Sequence, residues 1–309
     1  MERSSSEGAG ALLALSNDLA GAVEYAGRSV VAVYARPRTP SSGVHWRPGV
    51  IVTADHTVKR DEEISVSLPG GRMLPAVLAG RDASTDLAVL RLQGGESPAE
   101  IGDAASLRVG HVVLAVARPS ERGVSASWGV ISALGGPWRT WHGGQIDQFI
   151  RPDVSLYPGF SGGPLVDAHG RVMGINTAGP RNMVLTIPPS TVNRVVEQLL
   201  ERGRIARGYL GLGMQPVRLP ESIRQTLSLP RTGGVIVVAV ESNSPAERAG
   251  LLIGDVLVAL DGVPVSDTAD VQALLGPERV GTAVGASIIR AGLLAERVIT
   301  IGERPRRER

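Results

Sequence analysis

Between residues 29 and 187 this chain is cut into short apolar runs by frequent turn signals, and that punctuation constrains the fold more than any single residue does. The runs are Ser29–Ala35, Gly49–Ala54, Glu63–Leu68, Arg72–Ala79, Asp86–Leu92, His111–Ala117, Val124–Leu134, Pro164–Asp167 and Arg171–Asn176. Pro69-Gly70-Gly71, Gly94-Gly95, Gly135-Gly136-Pro137 and His169-Gly170 break the chain between them. Many short β-branched segments between Gly and Pro turns predict antiparallel strands closed into barrels, not a parallel sheet alternating with helices. The 309 residues suggest about two domains. With no cysteine, the fold has no disulfide, thiol nucleophile or thiolate metal site.

Within this β-rich stretch, Gly159-Phe160-Ser161-Gly162-Gly163-Pro164-Leu165 sets a serine among glycines, leaving its hydroxyl open and neighbouring N–H groups free. A serine at its ordinary pKa attacks nothing, so a nucleophile here requires a histidine base and a carboxylate to orient it. Of the five histidines, His56 closes the β-branched run Gly49–Ala54 and reads as an imidazole delivered at a strand end. Asp86 is expected to open another alternating strand, Asp86–Leu92. His45, His111, His142 and His169 read as surface residues, and no metal-ligand spacing or cofactor motif is present.

The order His, Asp, Ser separates two folds. Gly159-Phe160-Ser161-Gly162-Gly163 also fits the nucleophile elbow of α/β-hydrolases, but those place the histidine last. The one histidine after Ser161 is His169, eight residues on in an apparent turn, and Pro164 stands where an elbow would begin its helix. The elbow is therefore set aside, and an esterase on another fold is disfavoured by the same order.

With these blocks in place the chain resembles the HtrA/DegP branch of trypsin-like serine proteases. The resemblance rests on Thr53-Ala54-Asp55-His56, Thr85-Asp86-Leu87-Ala88-Val89-Leu90, Gly129-Val130-Ile131-Ser132-Ala133, the Ser161 block and Gly174-Ile175-Asn176-Thr177-Ala178. It runs from about Arg28 to Gly302. It implies two antiparallel six-stranded barrels with the site between them, His56 and Asp86 on the first and Ser161 on the second. It also implies an acyl-enzyme mechanism, with the N–H groups of Gly159 and Ser161 as the oxyanion hole. Relatives commonly carry Asn before the serine, where this chain has Phe160, and Pro158 stiffens the same loop. Those two residues keep a second reading open, a catalytically silent peptide-binding or chaperone-like protein. Trypsin-type enzymes place an acid six residues before the serine to hold basic side chains. Ser155 stands there, and Met183–Ile187 is expected as the opposite wall, so a small or medium aliphatic side chain is expected before the scissile bond.

Pro189–Arg202 shows helical spacing of Val192, Val195, Val196, Leu199 and Leu200 and ends near Gly203. From Gly208 a new pattern starts, with Tyr209-Leu210-Gly211-Leu212, a strand Gly234–Glu241, a helix near Thr268–Leu275 and strands Ala286–Arg290 and Arg297–Ile301. This segment resembles a small α+β PDZ domain. The resemblance implies that Tyr209, Leu210, Gly211 and Leu212 form the loop that receives a peptide's C-terminal carboxylate, with Arg207 a candidate basic partner.

The expected organisation is an amphipathic helical segment over 1–27, a protease domain over 28–202, a linker over 203–207, a PDZ domain over 208–303 and a basic tail over 304–309. The helix is expected to dock through Leu12, Leu15, Leu19 and Val23, which recur at helical spacing. Polypeptide substrates and peptide C-termini are the expected partners. The resemblance adds a homotrimer, for which Tyr25 and Tyr34 are the candidate aromatic contacts. A net charge of +2 with interleaved signs leaves no nucleic-acid footprint, and no apolar run reaches the roughly 18 residues of a membrane span. Gly8–Leu15 is a short apolar run, but Glu2 and Glu7 offset Arg3, and Asn17-Asp18 closes the run before any cleavage site. A cytoplasmic location is expected, or an extracytoplasmic one if the true start lies upstream.

Overall fold

The structure, a computed structural model, describes residues 3–94, 98–120, 123–140, 143–179, 183–206 and 208–303, with backbone alone for 3–9. Arg207, His142 and the 304–309 tail lie outside the described residues. Two compact units divide between Ile205 and Ala206.

In the first unit β1 (Val30–Tyr34), β2 (Ser41–Arg47), β3 (Val50–Ala54), β4 (Ile64–Ser67), β5 (Met73–Asp82) and β6 (Leu87–Leu92) close an antiparallel barrel in the order β1-β2-β3-β6-β5-β4. Next come β7 (Val112–Ser120), β8 (Gly123–Gly135), a two-stranded hairpin β9 (Trp138–Arg139) and β10 (Gln145–Ile146), then β11 (Phe149–Asp153), β12 (Pro164–Val166), β13 (Val172–Ala178) and β14 (Val184–Ile187). The six longer strands form a second barrel-like sheet in the order β11-β8-β7-β12-β13-β14, and its end strands β11 and β14 lie alongside each other.

Strand alternation builds three apolar layers from these elements. Val31, Val33, Ile51, Ala88, Leu90 and Leu92 fill the first barrel. Val113, Ala115, Ala117, Ile131, Leu165 and Met173 fill the second. The opposite faces of the same strands, carrying Val30, Val52, Leu87, Val89, Leu114, Val116 and Ile175, meet between the barrels. Both faces of these strands are buried, which is why the sequence reads as near-continuous apolar runs. Helix α2 (Pro189–Arg202) adds Val192, Val195, Val196 and Leu199 to the middle layer and ends at Gly203, whose φ of +70° gives the left-handed cap.

Helix α1 (Arg3–Gly27) forms, and its buried residues, among those described, lie in its C-terminal turns. Ala22 and Ala26 are buried, with Leu19 and Val23 partly so, while Leu12 and Leu15 are 70% and 49% exposed. Of the expected stripe of three leucines and a valine, Leu19 and Val23 pack on the core, while Leu12 and Leu15 stay largely exposed beside an open groove that they line with Leu114, Ala126 and Trp128 of the second barrel. His45 is a second departure: it is 2% exposed inside β2, a strand paired on both sides, and is not a surface residue. Strands β2, β11 and β14 are not among the apolar runs that the sequence marks as strands.

The second unit contains β15 (Gly208–Tyr209), β16 (Leu212–Arg218), α3 (Glu221–Thr226), β17 (Gly233–Val240), α4 (Pro245–Arg248), β18 (Val256–Leu260), β19 (Val263–Pro264), α5 (Thr268–Ala273), β20 (Ala283–Arg290), β21 (Leu293–Thr300) and β22 (Gly302–Glu303). Its main sheet runs β16-β17-β18-β20-β21, around Val235, Leu257, Leu260, Val271, Ile288 and Ile299. Strand β16 is an edge, with an unpaired side beside which α5 packs. No described helix is long and apolar enough to cross a membrane.

Candidate active site

His56 lies in a 3-10 turn, Asp55–Thr57, directly after β3. Asp86 does not open a strand as expected: β6 begins at Leu87, and Asp86 precedes it in the left-handed region with φ +57°. That conformation, which aspartate tolerates better than most residues, turns the carboxylate back onto the His56 turn. The His56 N–H donates to Asp86 Oδ1 at 2.8 Å, and His56 Nδ1 lies 2.7 Å from Oδ2. A carboxylate only accepts, so the proton belongs on Nδ1 and Nε2 is left as the basic nitrogen.

The turn itself is clamped from below. Arg81 on β5 donates to Asp55 Oδ1 at 2.5 Å, to the Asp55 carbonyl at 3.2 Å and to the Val58 carbonyl at 2.9 Å, bracketing His56. Burial raises the pKa of Asp55, with Asp86 and Asp82 adding to the rise and Arg81 opposing it.

Ser161 sits in a tight loop ahead of β12, in which the Phe160 N–H donates to Tyr157 O at 3.0 Å and the Gly163 N–H to Phe160 O at 2.9 Å. Gly162 shows how close this loop comes to the histidine strand: a Cβ there, at φ +83°, would overlap the Ser42 carbonyl and lie 2.7 Å from the Ala54 nitrogen. Ala54 is two residues before His56, so the Ser161 loop is seated against the end of the strand that leads into His56. Among the described residues Ser161 Oγ makes no hydrogen bond to His56 Nε2. The N–H groups of Gly159 and Ser161 likewise donate to no protein acceptor among the described residues.

Phe160 is 2% exposed, packed in the core of the second barrel and edge-on to Tyr157 at 5.5 Å between ring centroids. The apolar side chain that departs from the family pattern is thus turned inward and absorbed by the core. Ser155 is exposed, its N–H on Ser127 Oγ at 3.0 Å, and β14 supplies the buried Leu185 and Thr186.

Thr177 belongs to a block that carries the family resemblance, yet the sequence assigns it no role. It sits on β13 of the second barrel and its hydroxyl donates to Asp86 Oδ2. Arg81 likewise carries no mark of its contact in the sequence. Neither has a local signal, since Thr177 and Asp86 are 91 residues apart and Arg81 and Asp55 are 26 apart.

In the second unit, Leu210 is buried, and Gly211 has φ +78° with the space for a Cβ taken up by the Ser244 side chain. The Leu210 carbonyl accepts from Ala246 N and the Gly211 carbonyl from Glu241 N, both at 2.8 Å. Tyr209 donates its hydroxyl to Glu241. Leu212 then starts the edge strand β16.

Two joined barrels, with this histidine–aspartate pair on the first and a serine in a glycine-rich loop of the second, define a trypsin-like peptidase fold. Residues 41–175 match the trypsin-like peptidase domain model and residues 208–299 the PDZ domain model. By its similarity to solved HtrA-type proteases across nearly its whole length, the chain belongs to the HtrA/DegP family of serine proteases. The HtrA-type protease AlgW with decapeptide is 30% identical, with a TM-score of 0.75 over 93% of this chain and 99% of that one. The serine endoprotease from Yersinia pestis is 31% identical, again at TM-score 0.75, over 93% and 98%. A probable periplasmic serine endoprotease DegP-like from Rhizobium meliloti (strain 1021) is 34% identical over 279 residues, covering 87% of this chain and 54% of that protein. One of the same name from Pseudomonas fulva (strain 12-X) is 32% identical, over 87% and 60%. The chain thus spans little more than half the length of these curated relatives.

Proposed function

We propose that this protein is a serine endopeptidase that cuts exposed or misfolded polypeptides. His56 takes the proton from Ser161 Oγ as the hydroxyl attacks the scissile carbonyl, then returns it to the leaving amine. Asp86 holds the Nδ1–H tautomer and stabilises the imidazolium, the N–H groups of Gly159 and Ser161 receive the oxyanion, and water releases the acyl group. The observation that carries the reading is the double hydrogen bond from His56 to Asp86, with the Ser161 loop seated against the strand that delivers His56. The inward burial of Phe160 favours a working enzyme over the silent binding protein.

An aliphatic residue before the scissile bond fits the absence of an acid at Ser155, and a cleavage profile dominated by Arg would refute it. Tyr209, Leu210, Gly211 and Leu212 are proposed to hold a peptide C-terminus, the peptide extending along β16 as an added strand. Trimer assembly is proposed through the N-terminal segment, where Tyr25 is 40% exposed. The names of the curated relatives favour an extracytoplasmic compartment over the cytoplasm.

The test is digestion of casein by the full chain beside Ser161→Ala, with a fluorophosphonate probe on both and C-terminal peptides added in parallel. Cleavage and labelling that vanish in the variant support the peptidase. Intact casein and no labelling, with or without peptides, would instead support the silent binding protein.

A further inference from the structure

Ser42 on β2 is fully buried and spends every polar group on its surroundings. Its N–H donates to the Ser161 carbonyl at 3.2 Å, and its hydroxyl donates to the Gly159 carbonyl at 2.7 Å. The same Oγ accepts the Arg118 N–H at 2.8 Å, so its one proton is directed at Gly159. The Ser42 carbonyl accepts Thr53 Oγ1 at 2.7 Å, which ties it to the histidine strand.

These bonds have a specific target. The two residues whose N–H groups are free in the serine loop, Gly159 and Ser161, are the two whose carbonyls Ser42 holds. A held carbonyl fixes its whole peptide plane, here Gly159–Phe160 and Ser161–Gly162, and so anchors the C-terminal side of each residue and leaves only its own φ and ψ to re-aim its N–H. Gly159 needs such a restraint most, because a glycine at φ +91° has few steric limits of its own. Arg118 is anchored in turn: its buried guanidinium donates to the Val30 carbonyl at 2.7 Å and to Gly27, the last residue of α1, at 3.0 Å.

We propose that Ser42 is the positioning residue of the oxyanion hole, holding Gly159 and Ser161 by their carbonyls so that both N–H groups stay aimed at the reacting carbonyl. The inference rests on the peptidase reading above and adds a residue from the first barrel to a hole built on the second. Ser42 touches no substrate; it acts through the loop.

The test compares Ser42→Ala with wild type and with Ser29→Ala, which also removes a buried hydroxyl bonded to a backbone carbonyl but lies away from the loop. Losing one oxyanion donor lowers kcat about 100- to 1000-fold, so partial misalignment in Ser42→Ala should lower kcat on labelled casein about 10- to 100-fold, with KM within about threefold. Fluorophosphonate labelling should slow in parallel. Ser29→Ala should keep its kcat even if both variants melt at similarly lowered temperatures. A crystal structure of Ser42→Ala should show the Gly159 carbonyl turned from its wild-type direction. A kcat within threefold of wild type, or equal losses in both variants, would overturn the proposal. Should wild type itself neither cleave nor label, the peptidase reading fails separately, and the crystal structure alone decides whether Ser42 holds the loop; an unmoved Gly159 carbonyl would then count against it.

Discussion

Thr177 and His56 bond to the same oxygen of Asp86, one from each barrel. The Asp86 carboxylate is therefore held from both barrels, and His56 and the sheet that follows Ser161 share an anchor. A hydrogen bond to a charged group contributes about 1.5–3 kcal/mol, and each 1.4 kcal/mol is tenfold in rate. Thr177→Val, which keeps the shape and removes the hydroxyl, is expected to lower kcat on the order of 10-fold with little change in KM. Steady-state kinetics on labelled casein checks this, and unchanged kcat would mean that Asp86 is held well enough by His56 alone.

Arg81 neutralises a carboxylate that burial would otherwise penalise. Removing one partner of a buried ion pair costs about 3–5 kcal/mol, so Arg81→Met should destabilise the first unit by about 3 kcal/mol at pH 7. The sign of the pH dependence comes from the raised pKa of Asp55. The folded state binds more protons than the unfolded one, so Asp55 favours folding at low pH and that contribution is lost as pH rises through its folded pKa. Without Arg81 the pKa rises further, and the deficit of the variant should shrink as pH falls into the carboxylate range. Urea denaturation at several pH values reads this directly.

Asp255 in the second unit carries the opposite sign. Burial pushes its pKa up, but the Arg290 hydrogen bonds at 2.7 and 2.8 Å and the Leu252 N–H at 2.8 Å outweigh that, and the net shift is downward. Its stabilising contribution is present above the ordinary carboxylate pKa and is lost as pH falls through the lowered folded value. The PDZ unit of wild type should therefore lose stability on acidification, and Arg290→Met should remove most of that dependence. Thermal melts from pH 7 down to about 3 provide the comparison.

Gly211 cannot take a side chain without moving its loop, since a Cβ would meet Ser244 and φ +78° disfavours any other residue. Gly211→Ala is expected to weaken binding of a free C-terminal peptide at least about 10-fold by fluorescence polarisation, as a distorted carboxylate loop should. Amidating the peptide should weaken binding to wild type in the same way. Equal affinity for the free acid and the amide would show that the loop does not read the carboxylate.

Legibility from sequence depends on locality. The runs that form β1, β3, β6 and β7 are visible because both of their faces are buried. Strand β2 escapes notice because Ser41-Ser42-Gly43 opens it with small residues, although each is buried in the barrel. Strand β14 is legible only as a pocket wall. The exposed Leu12 and Leu15 show the converse error: helical periodicity marks a face able to dock, but how closely the barrel approaches that face is set by residues elsewhere in the chain.

The sequence by itself determined where the chain could turn, which runs were apolar enough to be buried, and that a serine in a glycine-rich loop comes after a strand-end histidine and an aspartate. Those are properties of neighbouring residues and need no partner. Only the tertiary structure decided that Thr177 reaches Asp86, that Arg81 brackets His56 and that Ser42 holds the carbonyls of Gly159 and Ser161. Each of those contacts joins strands far apart in sequence, and a hydrogen bond is specified by where the packing of two barrels leaves a donor opposite an acceptor.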